Sequence, residues 1–428
     1  MTLFRTSILS AIETIIKLSA GLVVIKFIAM RTGPDGVAIF GQFQNFVSLV
    51  ILLSSGVFAN GLVKYTAEFL GNDEESQKFY QNSIGLGLVL SVIIGGGVYI
   101  LSEELAEFVL DEHKYAWIVK LFSFVIIFIT LYQIFIAILN GRNELKKLIV
   151  GKISSSCILL TLAVFLVFFL GIDGALLSIS LVQALACFIV FMFLIKVKKF
   201  NKQWLIPKFE LRIIKKFIPY WIVSFTTVIS TPIVFIGIRM HLVDSLGWEF
   251  AGYWEATTKI SELYLLVITT ALVTYYLPKL SAANNYDDEN KIINQVLVYA
   301  IGTSVMLALI VYFFKGIIVN LLYTSDFDQV KELLGIQLLG SVVKIFSWVF
   351  SYYMIAKKKI YAFLLSELFF GLTFFCLNII FINWFGLVGT TYAFLTNYIF
   401  YGLFCFGYYK YSTGINKWGG EVKTLSKF

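Results

Sequence analysis

Histidine, cysteine, proline and charge are all scarce in this chain. Its 428 residues include two histidines, four cysteines and five prolines, and only 14% are Asp, Glu, Lys or Arg. His113 and His241 stand far apart, and no Cys/His spacing matches a metal site. Cys157, Cys187, Cys376 and Cys405 all fall in apolar runs, so they read as small packing residues rather than disulfide partners. No G-x-x-x-x-G-K-[ST] is present; Gly151-Lys152-Ile153 is not one. ATP-driven work by this chain alone is therefore not expected, nor is a cofactor.

The rest is apolar. Hydrophobic residues make up 59% and mean hydropathy is +0.85, whereas a soluble domain is about a quarter charged. The class is an all-α polytopic membrane protein. A span needs about 20 mostly apolar residues. Twelve such runs lie at 8–30, 37–63, 82–102, 117–140, 150–170, 175–195, 217–240, 253–277, 292–314, 333–356, 361–383 and 389–409. The first is too long for a signal core, carries Glu13 and Lys17, and ends at Arg31-Thr-Gly-Pro-Asp. It is expected to be a transmembrane helix rather than a cleaved leader. The abundant Phe and Tyr suit lipid-facing and interfacial positions.

Basic residues set the orientation. With the N-terminus inside, the inside loops hold 24 Lys and Arg, from Arg5 and Lys64 to Lys423 and Lys427. The outside set is Arg31, Lys114, Lys120, Arg239, Lys315 and Lys331. Both termini are thus expected in the cytoplasm. The basic residues read as topology and attraction to anionic lipid, not nucleic-acid binding. The longest basic loop, 196–216, joins span six to span seven and is expected to lie along the membrane surface.

The halves echo each other at an offset of 215–216 residues. Phe169-Leu-Gly171-Ile-Asp-Gly174-Ala matches Trp384-Phe-Gly386-Leu-Val-Gly389-Thr, and Gly36-Val-Ala-Ile-Phe matches Gly252-Tyr-Trp-Glu-Ala. Gly141-Arg-Asn-Glu-Leu-Lys-Lys joins spans four and five as Lys357-Lys-Lys joins ten and eleven. Two pseudo-symmetric six-helix lobes follow, 1–213 and 214–428, with a substrate site expected between them near the midplane.

Charges inside the spans point to transport. One charge at the bilayer centre costs at least about 2.5–3.5 kcal/mol on insertion scales, and a chain that needed only anchoring would not carry several. Glu13 and Lys17 share a face of the first helix, with Lys17 about 15 Å deep at 1.5 Å per residue. Lys26 lies near its outer end. Glu255, Lys259 and Glu262 form one stripe on the eighth helix. Lys344 lies in the tenth, Glu367 in the eleventh, and Arg239 near the outer end of the seventh. Pro219 and Pro232 interrupt that seventh helix and suit a kink or hinge. Each charge could instead serve an ion pair that holds helices together, Glu255–Lys259 above all. A cavity with more cations than its ion pairs need suits an anionic substrate such as a phosphate. Glu13, Glu255, Glu262 and Glu367 are the acids that could carry a proton or bind sodium.

These residues resemble the O-antigen flippases of Wzx type, within the larger group of multidrug and lipid-linked oligosaccharide exporters. They are similar, within that group, to the branch that flips enterobacterial common antigen units. The strongest stretch is 1–75, with Lys17-Leu-Ser-Ala-Gly-Leu-Val-Val-Ile-Lys26, Gly33-Pro34-Asp-Gly36 and Gly56-Val-Phe-Ala-Asn-Gly-Leu-Val-Lys64-Tyr65. Pro232 with Arg239, Leu277-Pro278-Lys-Leu-Ser281 and Gln337-Leu-Leu-Gly340-Ser-Val-Val-Lys344 extend it. The resemblance implies two lobes forming a V around a central cavity. It implies export of an undecaprenyl-diphosphate-linked oligosaccharide from the inner to the outer leaflet of the bacterial plasma membrane. Lys17, Lys26, Arg239 and Lys344 would hold the diphosphate and sugar; Lys259 departs from the family pattern. A glycan polymerase and a chain-length regulator are candidate partners alongside membrane lipids. Energy is expected from an ion gradient, H+ or Na+, or from product consumption.

Other classes fit less well. A major-facilitator transporter should show an acidic-Arg-Gly signature between spans two and three, which Lys64–Tyr80 lacks. A glycan polymerase or ligase should show a large outside loop with clustered Arg and His. A multidrug exporter of the same superfamily is the serious alternative, and would favour an acidic cavity.

Overall fold

The computed structural model describes residues 3–198, 200–283 and 285–417. Lys199, Lys423 and Lys427 lie outside the described residues, as do the side chains of Arg5, Pro219 and Lys417. Every regular element among the described residues is helical: α1 (Leu3–Ile51), α2 (Val57–Glu68), α3 (Asp73–Ile100), α4 (Ser102–Leu110), α5 (Ala116–Gly141), α6 (Leu145–Leu170) and α7 (Ile172–Ile195), then α8 (Leu211–Leu246), α9 (Trp248–Ala271), α10 (Leu277–Ala282), α11 (Tyr286–Phe313), α12 (Lys315–Leu322), α13 (Val330–Ala356), α14 (Ile360–Phe385) and α15 (Val388–Lys417). Among the described residues, eight helices are long and apolar enough to cross a membrane, nine if the bent pair Ala11–Gly56 and Phe58–Glu68 is one span. Each of the twelve expected spans falls on helix. The protein is an all-helical polytopic membrane protein.

Local sequence explains the breaks. In α1, Gly33 takes φ 67° and ψ −164° just before Pro34, so two expected spans are divided there although their helices run on. The left-handed φ suits glycine, and Pro34 withholds the N–H that an unbroken helix would use. Spans two and eight both contain a π turn, at Leu52–Gly56 and Leu272–Tyr276. Each continues as a short helix, α2 or α10.

The internal repeat recurs in backbone detail. Gly171 and Gly386 turn the chain between paired spans with φ 58°, ψ −129° and φ 60°, ψ −140°. Three residues on, a Cβ at Gly174 would lie 2.1 Å from Leu166 O, and one at Gly389 2.0 Å from Phe381 O. A side chain is thus excluded at both places by the neighbouring main chain. Asn143 and Lys358 both take a left-handed φ, 58° and 56°. Arg142 pairs with Asp73 at 3.7 Å, and Lys357 with Glu289 at 2.6 Å. The short helices α4 and α12 follow the third and ninth spans.

Contacts divide the chain into two compact units, Met1–Gly252 with Asn320–Asp326, and Tyr253–Val319 with Phe327–Phe428. Within the first, α8 packs against α1, α2 and α3, although the repeat assigns it to the second half. One core there gathers Phe43, Phe46 and Phe122; another gathers Phe58, Phe79, Tyr80, Trp204 and Phe217. The second unit has its core around Tyr276, Phe350, Tyr353, Tyr401 and Tyr409. Lipid removes most of the hydrophobic drive for helix association, so close packing and polar contacts matter more. Tyr276 accordingly donates its hydroxyl hydrogen to Val349 O at 3.0 Å, deep in that core.

Candidate functional site

Within the first unit, Lys17 is exposed and Glu13, one turn before it, is half-buried. Lys17 makes no ion pair among the described residues. An unpaired ammonium at that depth is tolerated only where water reaches it. Lys26 behaves differently. Its ammonium donates to Asn320 O at 2.9 Å and also to Tyr323 O, so it satisfies carbonyls at the end of α12 instead of projecting freely. Both acceptors lie in Asn320–Asp326, the segment that belongs to the first unit.

Arg239 is fully buried. Its guanidinium donates to Gln42 Oε1 at 2.8 Å, and Gln42 Nε2 donates to Ile236 O at 3.4 Å. A buried charge needs such partners. In this arrangement Arg239 joins α8 to α1, and a ligand would reach it only after that pair opens. Position 232 lies within α8, which runs from Leu211 to Leu246 as one helix.

Within the second unit, the stripe on α9 closes into an ion triad. The Lys259 ammonium lies 3.5 Å from Glu255 and 3.7 Å from Glu262. The Glu255 side chain is 6% exposed and that of Glu262 50%. Two carboxylates thus already hold the Lys259 charge. Lys344, on α13, has no carboxylate partner among the described residues. Its ammonium lies over the rings of Trp348 and Tyr398, 4.8 and 5.6 Å from their centres. Glu262 acts on it through space. Glu367 stands apart: Tyr401 donates its hydroxyl hydrogen to Glu367 Oε1 at 2.8 Å and lies 2.9 Å from Ser351 Oγ.

Four side chains that partner these charges, Gln42, Trp348, Tyr398 and Tyr401, were not singled out from the sequence. Gln42 and Tyr401 carry no periodic signal that separates them from packing residues. Trp348 does, since it stands four residues after Lys344 and therefore on its face. Gln133 and Gln183 also meet, at 2.9 Å, between α5 and α7. Both interrupt strongly apolar runs, and that polarity was visible.

A family model described as "Polysaccharide biosynthesis protein" matches residues 36–332. The chain is 25% identical over 417 residues to the lipid III flippase of Escherichia coli (strain K12), covering 95% of this chain and 98% of that one. The lipid III flippase of Shigella flexneri matches equally. Among solved structures, an inward-facing multidrug resistance MATE family transporter of the MOP superfamily has a TM-score of 0.79 at 15% identity, covering 95% of this chain and 99% of that one. The lipid II flippase MurJ, in an inward closed conformation, has 0.72 at 20%, covering 95% and 87%. These likenesses show the transporter fold.

Proposed function

Since the chain belongs to the polysaccharide biosynthesis protein family, whose model spans residues 36–332, we propose that it is a flippase for a lipid-linked oligosaccharide. It is a transporter in this reading and not an enzyme. The substrate is an undecaprenyl-diphosphate-linked repeat unit of O-antigen or related type. It passes from the cytoplasmic to the periplasmic leaflet of the bacterial inner membrane by alternating access.

The observation that carries this reading is Lys17, exposed at membrane depth and making no ion pair among the described residues. A diphosphate loses hydration on entering the membrane, which costs several kcal/mol per ion unless charge is supplied. Lysine supplies it as a point charge. Among the candidate cations, Lys17 from the first unit and Lys344 from the second show neither an ion pair nor a hydrogen bond to a protein acceptor among the described residues. Lys26 and Arg239 are engaged with protein acceptors, so they join the substrate only in another state. Lys259 is assigned to holding Glu255 and Glu262. Glu367, half-buried and in no ion pair among the described residues, is the acid assigned to take up a proton or a sodium ion during the return step. The 25% identity to lipid III flippases over nearly the whole chain supports the lipid-linked class of cargo.

The test is quantitative mass spectrometry of lipid-linked glycans in a strain lacking the protein. Undecaprenyl-diphosphate-linked units should accumulate on the cytoplasmic leaflet, and complementation should clear them. No accumulation, with new sensitivity to cationic drugs, would favour the multidrug exporter instead.

A further inference from the structure

The connection between α7 and α8 is a strap fastened to α3. Trp204 is buried, edge-on to Tyr80 at 4.9 Å and to Phe200 at 5.4 Å. The Arg142 guanidinium covers its ring at 4.8 Å. Lys208 N–H donates to Gln81 O at 3.2 Å, and the Gln81 side chain donates to Gln203 O at 2.8 Å. Glu210 N–H donates to Asn82 Oδ1 at 2.5 Å. Side chains and main chain of α3 thus hold the strap at several points along its length.

Its outer face is unusual. Ile206, Phe209 and Leu211 are 52%, 59% and 74% exposed. Interleaved with them, Lys202, Lys208, Arg212 and Lys215 are also exposed. Glu210 is the sole acid between 196 and 218, and it acts electrostatically on Lys78. Lys216 is not part of this face, because its ammonium lies over the rings of Tyr65, Phe69 and Phe79.

We propose that residues 202–215 form a fixed docking site for anionic phospholipid headgroups. Three exposed apolar side chains among four cations match a headgroup boundary, where acyl chain and phosphate meet. A water-soluble acidic protein would satisfy the cations and leave Phe209 and Leu211 in water. Because the strap is pinned, its cations are held in place, unlike those of a loose polybasic tail. Lipid bound there also braces the start of α8.

The experiment is native mass spectrometry of the delipidated full-length protein titrated with phosphatidylglycerol or phosphatidylcholine. The wild type should retain phosphatidylglycerol preferentially, and less of it as salt rises. The variant Lys202→Gln/Lys208→Gln/Arg212→Gln/Lys215→Gln should lose about tenfold or more of that retention. Phe209→Ser/Leu211→Ser should lose part of it for both lipids. A control with four other basic residues neutralised, Lys291, Lys358, Lys359 and Lys410, should stay within about twofold of wild type. Unchanged retention in the strap variant overturns the proposal. So does an equal loss in the control, which would mean that net charge alone attracts the lipid.

Discussion

The Lys344 ammonium lies 4.8 Å from the centre of the Trp348 ring, four residues along the same helix. Ring faces attract a cation by about 0.5–1 kcal/mol when exposed and about 2 or more when desolvated. They do not neutralise it. Such a seat keeps a lysine in place while leaving its charge free for a phosphate. Trp348→Leu should therefore reduce glycan export several-fold at unchanged protein abundance, measured in a complementation strain. Export equal to wild type would remove Trp348 from the account.

The repeat makes a matched pair of packing predictions. Gly174→Ala and Gly389→Ala each put a methyl about 2 Å from a main-chain carbonyl oxygen, Leu166 O or Phe381 O. Overpacking of this kind costs about 1–3 kcal/mol. Both variants should melt earlier in detergent, by similar amounts. Gly302→Ala and Gly407→Ala, where a Cβ meets nothing within 4 Å, should be neutral or slightly stabilising.

The twelve spans were legible because lipid demands long apolar runs, and the repeat was legible because its turns need glycine. The ion triad was legible too, since spacing of four and three residues puts Glu255, Lys259 and Glu262 on one face. Long-range partners were not. Nothing in the run around Gln42 says that it will meet a guanidinium 197 residues away. Nor does the sequence say that Lys26 will meet carbonyls near residue 320. Periodicity identifies a face of a helix, and the tertiary fold then decides what that face touches. Arg239 and Lys26, both candidate cations, each donate to acceptors of the protein itself.

The triad separates a structural lysine from a transporting one. Lys259→Gln leaves Glu255 buried beside Glu262, and should lower abundance and melting temperature. Glu255→Gln should cost more than Glu262→Gln, because the Glu255 side chain is 6% exposed and that of Glu262 50%. The double variant Lys259→Gln/Glu255→Gln should recover part of the stability, as contacting charges are not additive. Normal stability with lost export in Lys259→Gln would return Lys259 to the substrate site.

The orientation expected from the basic loops, with the N-terminus inside, has a direct readout. In a background with the native cysteines replaced, cysteines at Asn72, Asn201 and Asn285 should resist an impermeant thiol reagent in intact spheroplasts. One at Ser245 should label. All four positions are exposed, so protection would reflect the membrane and not burial. Labelling at 201 from outside would reverse the topology.

The central claim is that Lys17 and Lys344 supply the charge that carries a diphosphate through the membrane. It is tested most directly by glycan export in the Lys17→Ala/Lys344→Ala double variant, normalised to protein abundance. The account predicts normal abundance, loss of export, and accumulation of undecaprenyl-diphosphate-linked units on the cytoplasmic leaflet, with partial export retained when both lysines become arginine. Full export by the double alanine variant would contradict it.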